Sequence, residues 1–161
     1  MKVIPYIFYL LIISFHEVIL RNSTAIVGIT IDLPALIVLT IALYKSEIAA
    51  VWFGFVAGVV MSAGNPVTMG YNAMVLAALA LITFHARERL NLDSFAAKLI
   101  LVIGGVLLHS IVIILVLQPS EFVYQVWRFA LPGTIYTGLV SIIFLFFLEG
   151  LVTGRRVRAL L

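Results

Sequence analysis

Six long apolar runs, separated by short segments with charged or turn-forming residues, constrain the fold of this chain more than any other feature. The runs cover residues 3–20, 25–44, 48–64, 67–84, 95–117 and 131–152. A helix needs about 20 apolar residues to cross the hydrocarbon core of a bilayer, where its backbone polar groups must bond to one another. We therefore predict an all-α integral membrane protein, built as a bundle of six transmembrane helices.

The composition agrees with lipid as the main solvent. Hydrophobic residues make up 64% of the chain and charged residues only 11%, whereas soluble domains carry about 25% charged residues. Six spans use most of the 161 residues, so we predict a single transmembrane domain, 1–161. The sequence has no cysteine, which excludes disulfides, thiolate metal sites and cysteine nucleophiles.

The basic residues predict the orientation of the bundle. With the N-terminus inside, only Arg21 and Arg128 fall on the outer side. The cytoplasmic side receives Lys2, Lys45, Arg87, Arg89, Lys98, Arg155, Arg156 and Arg158. Because cytoplasmic loops are enriched in Lys and Arg, we predict that both termini are cytoplasmic. The same bias explains the basic pI without nucleic-acid binding.

Small residues recur every four positions in the third run and predict a face for close helix packing. They are Ala50, Gly54, Gly58 and Ser62. In the fourth run, Gly70 is a further candidate for close contact, and Asn72 is expected to hydrogen-bond across helices. This face serves either contacts between helices of the chain, the commoner use, or contact with a partner's transmembrane helix.

Two connections between the runs have a recognisable composition. Residues 63–66 read Ala-Gly-Asn-Pro, a turn sequence that predicts a tight antiparallel hairpin of the third and fourth spans. Residues 119–132 are rich in aromatic side chains, and their spacing predicts a short amphipathic helix in the outer interface. That helix belongs either to an aromatic belt or to a docking surface for a partner.

Asp32 needs a specific explanation, because an ionisable side chain inside a span is costly and is a candidate for function. Asp32-Leu33-Pro34 also matches a helix start, so the second span is either continuous or broken near Asp32. By helical rise His109 reaches a similar depth and is one candidate partner of Asp32. The other candidates, near the outer end of the first span, are His16, Glu17 and Arg21, and Glu17 is itself an intramembrane polar residue. Such a cluster can fix helix registry, contact a partner, or bind a ligand or proton.

Signatures of catalysis are missing from the sequence, which has no HExxH, no Gly-rich phosphate loop and no GxSxG. His109 and Ser110 are neighbours on a helix and point about 100° apart, so they do not form a nucleophile and base pair. We expect a protein that is not an enzyme and that needs no cofactor or metal.

Several segments between residues 32 and 89 follow one family pattern. They are Asp32-Leu33, Tyr44, Gly-Phe-Val-Ala-Gly-Val-Val at 54–60, Pro-Val-Thr-Met-Gly-Tyr-Asn-Ala-Met at 66–74, and Arg87-Glu88-Arg89. In this order they resemble the rod shape-determining protein MreD family, whose length and span number are also similar. One position departs, because Ser62 stands where the family usually has an acid after the glycine segment. A role of that carboxylate is therefore not carried over.

The resemblance implies a scaffold subunit of the bacterial elongasome in the inner (cytoplasmic) membrane, where it helps to set cell shape through lateral peptidoglycan synthesis. It implies binding to MreC and association with RodA, a class B penicillin-binding transpeptidase and MreB, beside contact with membrane lipid. It also implies a bundle similar to the substrate-binding components of energy-coupling factor transporters. A substrate-binding membrane subunit of a vitamin-type transporter is therefore the alternative function.

Overall fold

The computed structural model describes residues 4–26, 28–90 and 94–160, without the side chains of residues 22 and 151–160. The helices are α1 (Ile4–Phe15), α2 (Arg21–Ser23), α3 (Leu33–Tyr44), α4 (Glu47–Met61), α5 (Pro66–Arg89), α6 (Phe95–Leu117), α7 (Phe122–Gln125) and α8 (Leu131–Leu160). π-Helical turns at His16–Leu20 and Val126–Ala130 join α1 to α2 and α7 to α8. The prediction of an all-α fold is confirmed. Lys2 lies outside the described residues, as do the side chains of Arg155, Arg156 and Arg158.

Within the described part of the chain, three helical segments are long and apolar enough to cross a membrane: Pro66–Arg89, Phe95–Leu117 and Pro119–Gly150. Three apolar helices are shorter: Ile4–Leu20, Leu33–Tyr44 and Glu47–Met61. Large apolar side chains face outward, and Ile48 and Phe146 are 73% and 75% exposed. An outer surface of this kind is suited to lipid rather than to water, so the chain is a helical membrane protein.

Helix α3 forms the centre of the bundle. Residues 34–43 are all buried, and α3 contacts α1, α4, α5, α6 and α8. A helix that is apolar on every side is expected only where protein surrounds it. We call the end of the bundle where α3 begins the Asp32 end, and the opposite end the Arg87 end.

The second apolar run is not one continuous helix. Helix α3 begins only after Asp32, whose carboxylate Oδ1 accepts a hydrogen bond from the backbone N–H of Ala35 at 3.2 Å. Asp32 is therefore the N-cap of α3, which satisfies a backbone donor that has no partner within the helix. The alternative of a break at Asp32 is confirmed, and a continuous helix over 25–44 is wrong.

Before Asp32 the chain makes a tight turn. Ile26 and Ile29 exchange two backbone hydrogen bonds of 3.0 Å, and Gly28 between them has a φ of +79°. A positive φ costs little only for glycine, which explains the residue at this position. Backbone polar groups next to lipid need hydrogen-bond partners within the protein. The apolar pattern of the sequence does not show which partners these are.

Helices α4 and α5 form the predicted antiparallel hairpin. Asn65 caps α5 by accepting a hydrogen bond from the N–H of Val67. A Cβ added to Gly54 would lie 2.7 Å from the carbonyl oxygen of Leu76, and one added to Gly58 would overlap the backbone of Ala73. The small-residue face of α4 is thus used inside the chain, as the commoner interpretation requires.

Two other small residues that were predicted to make close helix contacts, Ala50 and Gly70, differ in burial. Ala50 is fully buried in α4. Gly70 is exposed, and a Cβ there would meet nothing within 4 Å. Gly70 is therefore not a packing position within the described chain, and its contact with a partner stays a prediction.

Charged side chains join helices at the Arg87 end. Nη1 of Arg87 donates to the carbonyl oxygens of Ala42, Leu43 and Lys45 at 3.2, 2.9 and 3.1 Å. Nζ of Lys98 lies 2.5 Å from Oε1 of Glu149. The side chain of Arg87 in α5 therefore bonds to carbonyl groups at the end of α3.

The aromatic segment 119–130 is not a separate interfacial helix. It runs without interruption into the last long helix, Pro119–Gly150. Its outward side chains include Val123, Tyr124 and Trp127. The segment is helical, as predicted, but it is continuous with the last long helix because a π-helical turn joins α7 to α8. Its position in the outer interface stays a prediction.

Candidate functional site

A cavity of about 700 Å³ lies at the Asp32 end of the bundle. Its walls come from α1, α4, α5, α6 and α8, together with the irregular segment before α3. The polar and charged side chains on the wall include Ser14, Glu17, Arg21, Asp32, Asn72 and His109. Small-molecule sites in proteins are commonly about 300–1,000 Å³ in volume, so this cavity is large enough to bind one.

Of the candidate partners of Asp32, His109 is the one that contacts it on the cavity wall. Nδ1 of His109 lies 2.5 Å from Oδ2 of Asp32, so the carboxylate favours the tautomer that carries a hydrogen on Nδ1. The backbone N–H of Asp32 donates to Oγ1 of Thr137 in α8 at 3.0 Å. Asp32 therefore connects α3 to both α6 and α8, which is the arrangement that a registry-fixing cluster requires.

Glu17 lies on the same wall but is paired with a residue of its own helical segment. Nη1 of Arg21 donates to Oε2 of Glu17 at 2.7 Å. The Glu17 side chain is only 9% exposed, whereas that of Arg21 is 51% exposed. The π-helical turn at His16–Leu20 contains Glu17, and such turns often occur at functional sites.

Asn72 makes the cross-helix hydrogen bond that was predicted. Its Nδ2 donates to Oγ of Ser62 at 2.6 Å, and both side chains are buried. Ser62, at the end of α4, thus makes a polar contact to α5. Sequence reasoning placed Ser62 in the packing face and missed its role as the partner of Asn72.

Among the described residues, two buried polar atoms of residues that line the cavity have no hydrogen-bond partner: Oδ1 of Asn72 and Nε2 of His109. An unpaired polar atom in a protein interior costs about 1–3 kcal/mol. Both atoms are covered by neighbouring atoms rather than open to the cavity, so a bound group does not reach them in this structure. The polar groups that the wall offers to a ligand are therefore the side chains of Glu17, Arg21 and Asp32.

The described residues contain no cluster of three or more His, Cys, Asp or Glu side chains with metal-binding geometry. Ser110 lines the cavity next to His109, yet the hydrogen bond of the histidine is with Asp32. The geometry supports binding by hydrogen bonds and charge.

Comparison of the chain with protein-family models, curated proteins and solved structures finds no match. The family resemblance therefore depends on the sequence segments quoted above.

Proposed function

We propose that this chain is a non-enzymatic scaffold subunit of the bacterial rod-shape complex, of the MreD type, which binds MreC and helps to organise lateral peptidoglycan synthesis. RodA, a class B penicillin-binding transpeptidase and MreB are the further members of the proposed complex. In this proposal the three shorter apolar helices cross the inner membrane with the three long ones. The six spans place both termini in the cytoplasm and the Asp32 end outside.

The observation that carries the proposal is the position of the family-like residues in one connected region. Asp32 caps α3 at the cavity, Gly58 lies against the backbone of α5, and Asn72 bonds to Ser62 at the end of α4. These residues are up to 40 positions apart in the sequence. Their pattern is therefore explained by one architectural unit, the α4–α5 hairpin beside the start of α3.

The surfaces left for a partner follow from what the chain itself covers. Because Gly54 and Gly58 are covered by α5, a partner helix needs another place for close approach. Gly70 lies on the outward face of α5 among exposed Val67, Tyr71 and Met74. We assign this face to the transmembrane helix of MreC, and the exposed aromatic side of segment 119–130 to its extracytoplasmic part.

Co-purification from a mild detergent tests the scaffold proposal. We expect MreC to be retained with the wild-type chain and lost with Gly70→Leu, whose larger side chain blocks close helix approach. Gly104→Leu is the matched control, because a Cβ at Gly104 also meets nothing within 4 Å. If MreC fails to bind the folded wild-type chain, the proposal is wrong. If both variants retain MreC, the surface assignment is wrong.

A second candidate, a substrate-binding subunit of a vitamin-type transporter, is favoured by the cavity of about 700 Å³. A ligand that binds only the folded protein raises its stability, by about 2.7 kcal/mol at 100 times the dissociation constant. A thermal-shift screen with vitamins therefore tests this function. A specific ligand together with no retention of MreC would favour the transporter over the scaffold.

A further inference from the structure

We propose that the cavity at the Asp32 end binds a protonated amine attached to an apolar body. The inference goes beyond the scaffold role and does not depend on it. It requires only that the cavity accept a ligand, which the second candidate function also requires.

The lining of the cavity sets the general form of the ligand. Beside the polar groups, apolar side chains contribute to the wall, among them Ile29, Met61, Ile113 and Phe129. Binding pockets that combine an apolar lining with a few placed polar groups orient a ligand by its polar head and bury its body. The ligand is therefore amphiphilic, with a single polar head.

The fixed charge of the wall favours a positive head. The carboxylates belong to side chains that are mostly covered, Glu17 at 9% and Asp32 at 18% exposure. The guanidinium of Arg21 is half exposed, and the imidazole of His109 carries a charge only when protonated. With a neutral His109, the charged side chains named on the wall sum to one negative charge.

The carboxylates of the wall have unused acceptor capacity. Oδ1 of Asp32 accepts from the N–H of Ala35, and Oδ2 lies 2.5 Å from Nδ1 of His109. Oε2 of Glu17 accepts from Arg21. Because an ionised carboxylate has about four acceptor positions, both groups can accept further hydrogen bonds. An alkylammonium group supplies three N–H donors and a positive charge, which matches both properties of the wall.

Other head groups match less well. A carboxylate could accept from the remaining N–H groups of Arg21, but it would be repelled by the carboxylates of Glu17 and Asp32 on the same wall. An alcohol can donate one hydrogen bond but has no charge to neutralise the wall. The amine can come from a free small molecule or from the ethanolamine head group of a lipid.

Binding of three indole compounds to the purified full chain tests the head-group preference. Tryptamine, tryptophol and indole-3-acetate share one ring system and differ in carrying an amine, an alcohol or a carboxylate. We expect tryptamine to bind at least about tenfold more tightly than the other two, since hydrogen bonds to charged groups contribute about 1.5–3 kcal/mol. Equal or tighter binding of the alcohol or the acid would overturn the proposal.

Charge-neutral variants locate the amine on the cavity wall. We expect Glu17→Gln and Asp32→Asn each to weaken tryptamine binding about 10- to 100-fold. Asn at position 32 still caps α3, and thermal unfolding without ligand checks that both variants fold. Glu121→Gln is the matched control, because Glu121 is exposed, bonds to Gln125 and is not a lining residue. Unchanged tryptamine affinity in both folded cavity variants would overturn the assignment.

Bilayer composition then separates the two sources of the amine. Tryptamine affinity is measured in nanodiscs of phosphatidylcholine alone and in nanodiscs with half phosphatidylethanolamine. Weaker tryptamine binding with phosphatidylethanolamine supports occupation by the lipid head group, and equal binding supports a free amine. Co-purification of MreC is a separate measurement, so failure of the scaffold proposal and failure of this inference are distinguishable.

Discussion

Charged side chains bond to groups of other helices at the Arg87 end of the bundle, whereas at the Asp32 end they line a cavity. At the Arg87 end, Arg87 bonds to carbonyl oxygens near the end of α3, and Lys98 pairs with Glu149 of another helix. At the Asp32 end, Glu17 pairs with Arg21 four residues away in its own segment. The contact of Asp32 with His109 connects two helices there.

The difference teaches where binding capacity can remain in a bundle of this size. At the Arg87 end, the polar side chains described above bond to groups of neighbouring helices and hold those helices together. At the Asp32 end the irregular chain around Gly28 lines the cavity, and the carboxylates of Glu17 and Asp32 remain partly exposed on its wall. We therefore assign cohesion to the Arg87 end and binding to the Asp32 end.

The largest expected effect on stability comes from forcing apart α4 and α5, whose contact supports both ends of the bundle. Gly58→Leu would place a side chain into the backbone of Ala73, and overpacking of this kind should destabilise the chain by about 3 kcal/mol or more. Thermal unfolding and size-exclusion chromatography in detergent measure the loss. Gly104→Leu, in open space, should leave both unchanged. A Gly58→Leu variant as stable as the wild-type chain would refute the close contact between α4 and α5.

Removing the hydrogen bonds that join helices at the Arg87 end should have the next largest effect on stability. Arg87→Met keeps an apolar stem but loses the hydrogen bonds to three carbonyl oxygens, which should cost about 2–3 kcal/mol. The matched control is Arg89→Met, at an exposed position on the same helix. Equal melting temperatures for the two variants would mean that the Arg87 end is not held together in this way.

Asp32→Ala probes the start of the same helix. The alanine variant loses the N-cap of α3 and leaves His109 without its partner, which should cost about 2 kcal/mol. Asp32→Asn keeps the cap and should recover part of that loss. The comparison uses thermal unfolding at one pH. An equal loss for alanine and asparagine would show that the cap does not contribute.

The smallest effect is expected at the pair of Lys98 and Glu149. Both side chains are partly exposed, at 20% and 29%, so Glu149→Gln should cost about 0.5–1 kcal/mol. Glu88→Gln, at an exposed acid of α5, should change the unfolding temperature by less. If Glu149→Gln costs more than Arg87→Met, the ranking of contacts at this end must be reversed.

Part of this architecture was predictable because it depends on local chemistry. The cap at Asp32, the turn at 63–66 and the small residues of α4 are recognisable from residue types at fixed spacing. Depth in the bundle made His109 one of the candidate partners of Asp32. These features need no knowledge of how distant helices are arranged.

The rest depends on tertiary contacts that a linear pattern does not contain. The carbonyl partners of Arg87 are more than 40 residues away, and the contact of Thr137 with Asp32 spans 105 residues. The cavity is space between five helices and an irregular segment. No single run of sequence specifies its volume or its unpaired atoms.

Labelling of introduced cysteines tests the central claim most directly, because the natural chain has no cysteine. Ser110→Cys lies on the cavity wall, and Ser141→Cys is fully buried along α8. In spheroplasts with a membrane-impermeant thiol reagent, we predict that Ser110→Cys is labelled from outside and that Ser141→Cys is not. Labelling of Ser110→Cys only after the membrane is permeabilised, or equal labelling of both, would contradict an outward-facing cavity at the Asp32 end.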